Sequence, residues 1–278
     1  MARERDPGHP LMSTASWTAA VRAMEHERPD RLLDDPWADA LAGAVGRSWL
    51  GQRSDLPAIQ VIAIRARFFD DFLQRVVNHE DIRQVVLPAV GFDTRAFRLP
   101  WPAGTRIFEI DHPQLLERKD QVLRAAGARA TSVRTTIGED LAGPWVEALV
   151  DAGFDPGAPS GWLLEGFLFY LSLEEVTRIV DQVSELAVSG SRLGFDIVSQ
   201  ATLTHPLTRP WIEMQTDMGA PWLGTMDDPA GFLAARDWTA SVVQLGQPGA
   251  DYGRWPYPVP PAELTDAPHN WFVTARKR

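Results

Sequence analysis

The sequence predicts an α/β protein built on a doubly wound, mostly parallel, seven-stranded sheet, and three observations carry that reading. From residue 84 onward, short β-branched and apolar runs alternate with longer stretches of helical spacing. The segments between the first five runs are long enough for the crossover helices that parallel strands require. The chain has 278 residues and is 45% apolar, enough to bury the large core of an ordinary α/β domain.

The elements follow in order. The first 55 residues read as helix and turn, with Arg28-Pro29-Asp30 and Asp34-Asp35-Pro36 as helix breaks. From Ile62 to Val77 the positions Ile62, Ile64, Phe68, Phe69 and Phe72 recur at helical spacing, with Arg65, Asp70, Asp71 and Arg75 interleaved, which makes an amphipathic helix. Strands are expected at Gln84–Leu87, Arg106–Ile110, Thr131–Thr135, Trp162–Glu165, Arg192–Ile197, Ser241–Leu245 and Trp271–Ala275. Ser172 and Glu175 form a capping box ahead of Val176, Ile179, Val180, Val183 and Leu186, and that helix should end near Ser189-Gly190.

Residues 1–60 therefore make an N-terminal helical cap and 61–198 a ligand-binding core. An insertion, 199–237, carries His205, Trp211, Met214, Met218 and Trp222 and should cover a pocket as a lid. Residues 238–278 supply the last two strands and a loop too rich in proline, between Gln247 and Pro268, for a helix or central strand.

Composition excludes several function classes. With 27 Lys+Arg against 37 Asp+Glu the net charge is −10, which disfavours nucleic acid and anionic membranes, whose binding draws on Lys and Arg. A small-molecule partner fits better. There is no cysteine, hence no disulfide, thiolate nucleophile or zinc–thiolate site. The six histidines never pair at metal-binding helical spacing, so no metal is expected, and there is neither a Gly-x-Ser-x-Gly elbow nor a phosphate-binding Gly-Lys-Ser/Thr. The charged start and the short apolar runs give no signal peptide or membrane span, and a soluble cytoplasmic protein is expected. Nothing in the sequence indicates the oligomeric state. Eleven tryptophans against three tyrosines point to broad apolar contact surfaces, in a core or around an apolar ligand.

In an open α/β sheet, ligands bind beyond the carboxyl ends of the strands near the point where strand order reverses. After the first strand comes Pro88-Ala89-Val90-Gly91-Phe92-Asp93-Thr94-Arg95, and Asp111 follows the second strand twenty residues beyond Gly91, where an acid can accept from a ribose diol. A strand-end turn with an exposed carboxylate is the plainer reading of these two positions alone. Asp93 lies where a dinucleotide would place its diphosphate, which disfavours NAD. S-adenosylmethionine has no phosphate and carries a sulfonium cation and an ammonium group, so acids near that turn suit it.

The segments Leu33-Asp34-Asp35-Pro36-Trp37, Arg65-Ala66-Arg67-Phe68-Phe69-Asp70-Asp71, Gly91-Phe92-Asp93-Thr94-Arg95-Ala96-Phe97-Arg98, Phe108-Glu109-Ile110-Asp111-His112-Pro113 and Leu164-Glu165-Gly166-Phe167-Leu168-Phe169-Tyr170-Leu171 are informative in this order. Over nearly its whole length the chain resembles the class I, S-adenosylmethionine-dependent methyltransferases of the leucine carboxyl methyltransferase family, in its actinobacterial small-molecule O-methyltransferase branch. The resemblance implies a Rossmann-like sheet and S-adenosylmethionine as cofactor. It also implies that Ala89 and Gly91 form the cofactor turn, Arg65 meets the methionyl carboxylate and Asp111 the ribose. Asp140 and Leu141 would take the adenine, and Glu165 the methionyl ammonium, with Tyr170 facing the same pocket.

The family turn usually reads Gly-x-Gly, and here Ala89 holds the first glycine position, where a methyl disfavours a positive φ. A carboxylate acceptor is ionised at neutral pH and needs no general base, whereas a hydroxyl does. For that role His205 is the first candidate and His112 the second. Trp17, Trp37, Trp211, Met214, Met218 and Trp222 are candidate walls of the acceptor pocket. The expected function is O-methylation of a carboxylate or hydroxyl on a small, apolar, aromatic or polyketide-like metabolite. Two alternatives stay open: a repurposed family member catalysing a non-methylating cyclisation or rearrangement, and a non-catalytic binding partner in biosynthesis.

Overall fold

The computed structural model describes residues 10–52, 58–217 and 219–278. Two helices, α1 (Pro10–His26) and α2 (Ala38–Gln52), precede the long α3 (Ala58–His79). There follow β1 (Gln84–Pro88), α4 (Arg95–Arg98), β2 (Arg106–Asp111), α5 (Pro113–Ala125), β3 (Val133–Gly138), α6 (Trp145–Asp151), β4 (Gly161–Leu164), α7 (Leu173–Leu186) and β5 (Arg192–Val198). The chain closes with α8 (Arg209–Asp217), α9 (Pro229–Ala234), β6 (Trp238–Gln244) and β7 (Asn270–Lys277).

The sheet is seven-stranded in the order β3-β2-β1-β4-β5-β7-β6. β1 to β5 pair in parallel, and β7 runs antiparallel between β5 and β6. The strand order reverses between β1 and β4, so a crevice opens at their carboxyl ends. Alternate residues of β1 face opposite sides. Val85 and Leu87 pack with Phe68, Phe69 and Phe72 of α3, while Val86 packs with Trp162, Val180 and Val183 beneath α6 and α7. With both faces covered, all five β1 residues are buried, as expected of a parallel strand.

The strand positions differ from the sequence reading in detail. The third begins at Val133 rather than Thr131, because the Thr131 amide and hydroxyl bond the Ala96 and Leu99 carbonyls at the end of α4. The fourth stops at Leu164 and releases Glu165 into the crevice. The sixth starts at Trp238, three residues early, its indole N–H held by the Ser184 hydroxyl of α7. α7 has its capping box, but it ends at Leu186, short of Gly190, since Ala187 turns extended and is itself buried. Among the described residues no helix is long and apolar enough to cross a membrane.

Candidate active site

A cavity of about 1250 Å³ lies at the carboxyl ends of β1 and β4. That exceeds the roughly 300–1,000 Å³ of a single small-molecule pocket, leaving room for two ligands side by side. Its polar end is built from strand ends: the turn after β1, Asp111 at the end of β2 and His112 after it, Glu139 to Ala142 after β3, and Glu165 and Gly166 after β4. Its other end lies between Trp17 of α1, Trp211 and Gln215 of α8, Phe169, Trp222 and the proline-rich loop from Tyr257 to Pro261.

The turn after β1 is left-handed twice, at Ala89 (φ +52°) and Gly91 (φ +50°). Ala89 thus adopts the conformation expected of the glycine it replaces. The Gly91 amide donates to Asp111 Oδ2 at 2.7 Å and the His112 amide to Oδ1 at 2.8 Å, which fixes the carboxylate while leaving each oxygen a further lone pair. Burial pushes the Asp111 carboxyl above its ordinary value, and the two amides oppose it only in part. Asp140, at the exposed rim, accepts from the Ala142 amide, and Leu141 beside it is buried.

Glu165 and Arg65 meet each other. Arg65 Nε donates to Glu165 Oε1 at 3.0 Å and Nη1 to Asp196 Oδ2 at 3.0 Å, so the guanidinium does not offer the two free parallel donors that the family analogy implies. Asp196, in the apolar run of β5, was missed from sequence; a carboxylate inside a central strand was the available signal. It is fully buried, accepts from the Gly166 amide at 2.6 Å, and burial, with Arg65 opposing, pushes its carboxyl up. Gly166 lies in the left-handed region (φ +67°), and a Cβ there would stand 2.8 Å from Arg65 Nη2, so a side chain would strain the turn and displace the guanidinium. Glu165 Oε2 is 2.7 Å from an Arg95 nitrogen yet has no partner in hydrogen-bond geometry. Asp93 does not face the cavity as a free anion. Burial alone would raise its carboxyl, but Arg95, with Lys119 and Arg98 behind it, outweighs burial and holds it at about 2.

Tyr170 closes a single helical turn, Leu168–Tyr170, and lines the cavity. Burial pushes its phenol up to about 12, so it stands as an O–H donor at neutral pH. His205 also lines the cavity, but its Nδ1 accepts from the Leu207 amide at 3.2 Å. In the tautomer that accepts this bond the ring proton sits on Nε2, which makes that nitrogen a donor. Of the expected walls, Trp17, Trp211 and Trp222 are present, Trp211 lying 5.4 Å from Trp17 and 5.9 Å from Trp222 between ring centres. Trp37 instead packs in the core between α1, α2 and α5, Met214 is buried away from the cavity, and Met218 lies outside the described residues. The proline-rich loop and His269 were missed as cavity walls, since no local pattern marks them.

The family profile described as leucine carboxyl methyltransferase matches residues 15–184. The chain belongs to the leucine carboxyl methyltransferase family. A protein of Parafrankia sp. (strain EAN1pec), assigned as an S-adenosyl-L-methionine-dependent methyltransferase, is 44% identical over 95% of this chain and 86% of its own length. One from Streptomyces coelicolor with the same assignment is 37% identical over 88% of each. The fold is shared with a methyltransferase structure from Thermobifida fusca, at a TM-score of 0.61 and 16% identity over the whole of both chains. This family member is thus a class I, S-adenosylmethionine-dependent methyltransferase. Its polar end fits the cofactor on its own geometry: a left-handed turn and a fixed carboxylate with spare lone pairs.

Proposed function

We propose that this methyltransferase acts on an oxygen of a small, largely apolar acceptor. The observation that carries the reading is the division of one cavity into a polar end of fixed carboxylates and an end walled by Trp17, Trp211, Trp222 and Phe169. In this reading Asp111 accepts from the ribose, and Asp140 and Leu141 take the adenine. Arg65, Glu165 and Asp196 form one charged set around the methionyl group, in which Glu165 takes the ammonium. S-adenosylmethionine supplies an activated methyl group. The protein aligns the acceptor oxygen and excludes water, for which proximity can supply up to about 7–11 kcal/mol. Tyr170 and the Nε2–H of His205 are donors that can orient that oxygen. The non-methylating alternative drew on Ala89, and the shape of its turn does not favour it.

Calorimetric titration with S-adenosylmethionine tests the reading. The protein should bind it, and Asp111→Ala should weaken binding by about 1.5–3 kcal/mol, the range for losing a hydrogen bond to a charged group. Unchanged affinity would show that the ribose assignment is wrong. Ribose hydroxyls donate to the charged form, so binding lowers the raised Asp111 pKa. Affinity should therefore fall as pH drops through that raised value.

A further inference from the structure

Resting on that reading, we propose that Trp17 and Gln215 select the acceptor by hydrogen-bonding a neutral group on it that both accepts and donates. That group is the carbonyl and N–H of a cyclic amide, set apart from the oxygen that takes the methyl group. The juxtaposition that carries this is an indole N–H and a carboxamide oxygen on the acceptor wall, both buried and both without a hydrogen-bond partner among the described residues.

Trp17 belongs to α1 and is 2% exposed; it packs among Val21, Ile59 and Ile62, side chains that offer its Nε1 no lone pair. Gln215 belongs to α8 and is also 2% exposed; it follows Trp211 by four residues, so the two share one face of that helix. Trp211 in turn lies 5.4 Å from Trp17 between ring centres, and in this way α1 and α8 bring both unpaired groups to one end of the cavity. Other polar groups of that wall are engaged within the chain. The Thr208 hydroxyl donates to the Thr202 carbonyl, and both ring nitrogens of His269 face carbonyl oxygens, Gln244 Oε1 and Leu264 O. Trp222 Nε1 and Asn270 Oδ1 also lack partners, but they belong to side chains that are only partly buried.

A buried polar atom without a partner is destabilising, and folded chains keep few of them. Two on one cavity wall gain their partners when a ligand supplies them. Trp17 Nε1 only donates and Gln215 Oε1 only accepts, so the ligand must present a lone pair to the first and an N–H or O–H to the second. A carboxylate has no proton for Gln215 and an ammonium no lone pair for Trp17, so a charged group satisfies one of them at most. A ketone or ester likewise leaves Gln215 unpaired. A cyclic amide presents both on adjacent atoms of a flat ring, which also suits the aromatic walls. An analogue that lacks the N–H leaves Gln215 buried and unpaired, and the site rejects it for that reason.

The probes are 6-hydroxy-2-quinolone, 6-hydroxycoumarin, which has a ring oxygen in place of the N–H, and the N-methyl derivative of the quinolone; all three are neutral phenols at pH 7. In calorimetric titrations without cofactor, the quinolone should bind at least about tenfold more tightly than either analogue, about 1.4 kcal/mol. Gln215→Leu should bring the quinolone and the coumarin within about threefold of each other. Trp17→Phe should weaken both alike and preserve their ratio, since both keep the carbonyl. The urea midpoint of Gln215→Leu should stand at or above that of the native chain, because a buried unpaired atom is removed, whereas a merely structural glutamine would lower it. Equal binding of the coumarin, which keeps the ring, carbonyl and hydroxyl, overturns the proposal, as does binding of none of the three. So does a preference for the quinolone that survives Gln215→Leu, or a lowered midpoint in that variant. If S-adenosylmethionine itself does not bind, the functional reading fails, while the cofactor-free titrations still decide which group Trp17 and Gln215 read.

Discussion

Ala89 shows how a single methyl group can be held in a conformation that favours glycine. At φ +52° an L residue costs about 1–2 kcal/mol relative to the right-handed region. The strain is held by its surroundings: the Val90 amide bonds the Ile110 carbonyl, and Ala89 itself packs against the core under α7. Ala89→Gly removes the strain but frees the unfolded chain by about 0.4–1 kcal/mol, so the two effects nearly offset. Urea unfolding should show a gain below about 1 kcal/mol, with cofactor affinity at least retained. A clear loss of stability would mean that the methyl contributes more by packing than it costs in backbone strain.

Among the elements, α7 is the clearest case of local sequence deciding structure. The Ser172 hydroxyl accepts from the Glu175 amide, and Glu175 Oε2 accepts from the Ser172 amide, while Val176, Ile179, Val180 and Val183 face the core. Ser172→Ala should cost about 1 kcal/mol in chemical unfolding. Such local signals explain why β1, β2 and α7 were legible from sequence to within a few residues. The strand-end rule also pointed to Asp111, whereas the roles expected of Asp140 and Glu165 came from the family resemblance. The commitments of Arg65 and His205 were not legible. Arg65 meets Glu165 and Asp196 from 100 and 131 residues away, and only the folded chain shows those donors in use. The roof was hidden for the same reason: Arg254 of the proline-rich loop donates to Glu25 across 229 residues.

Across the whole molecule, a buried ion network joins the cap to the core. Asp70 of α3 takes Arg95 Nε at 2.7 Å and Arg98 at 2.6 and 2.8 Å. Asp35, fully buried, takes Arg22 and the Thr94 hydroxyl, with Arg98 at 3.9 Å. The Asp-Thr-Arg segment after β1 is therefore as much a clasp on the N-terminal helices as a neighbour of the cofactor. Asp70→Asn leaves two buried guanidinium groups short of charge and should lower the unfolding free energy by about 3–5 kcal/mol. Because the network is buried, added salt should recover little of that loss in the same unfolding assay.

The cavity's two ends also belong to different layers of the chain. Its polar end is made from the turns that any such sheet must have, whereas its roof comes from α1, the stretch from Thr202 to Trp222 and the proline-rich loop, none of which contributes a strand. Change in the roof leaves the sheet's hydrogen bonds untouched, so selection can alter the acceptor without renegotiating the fold. Two descendants of one ancestor can keep every carboxylate at the polar end and share no acceptor at all.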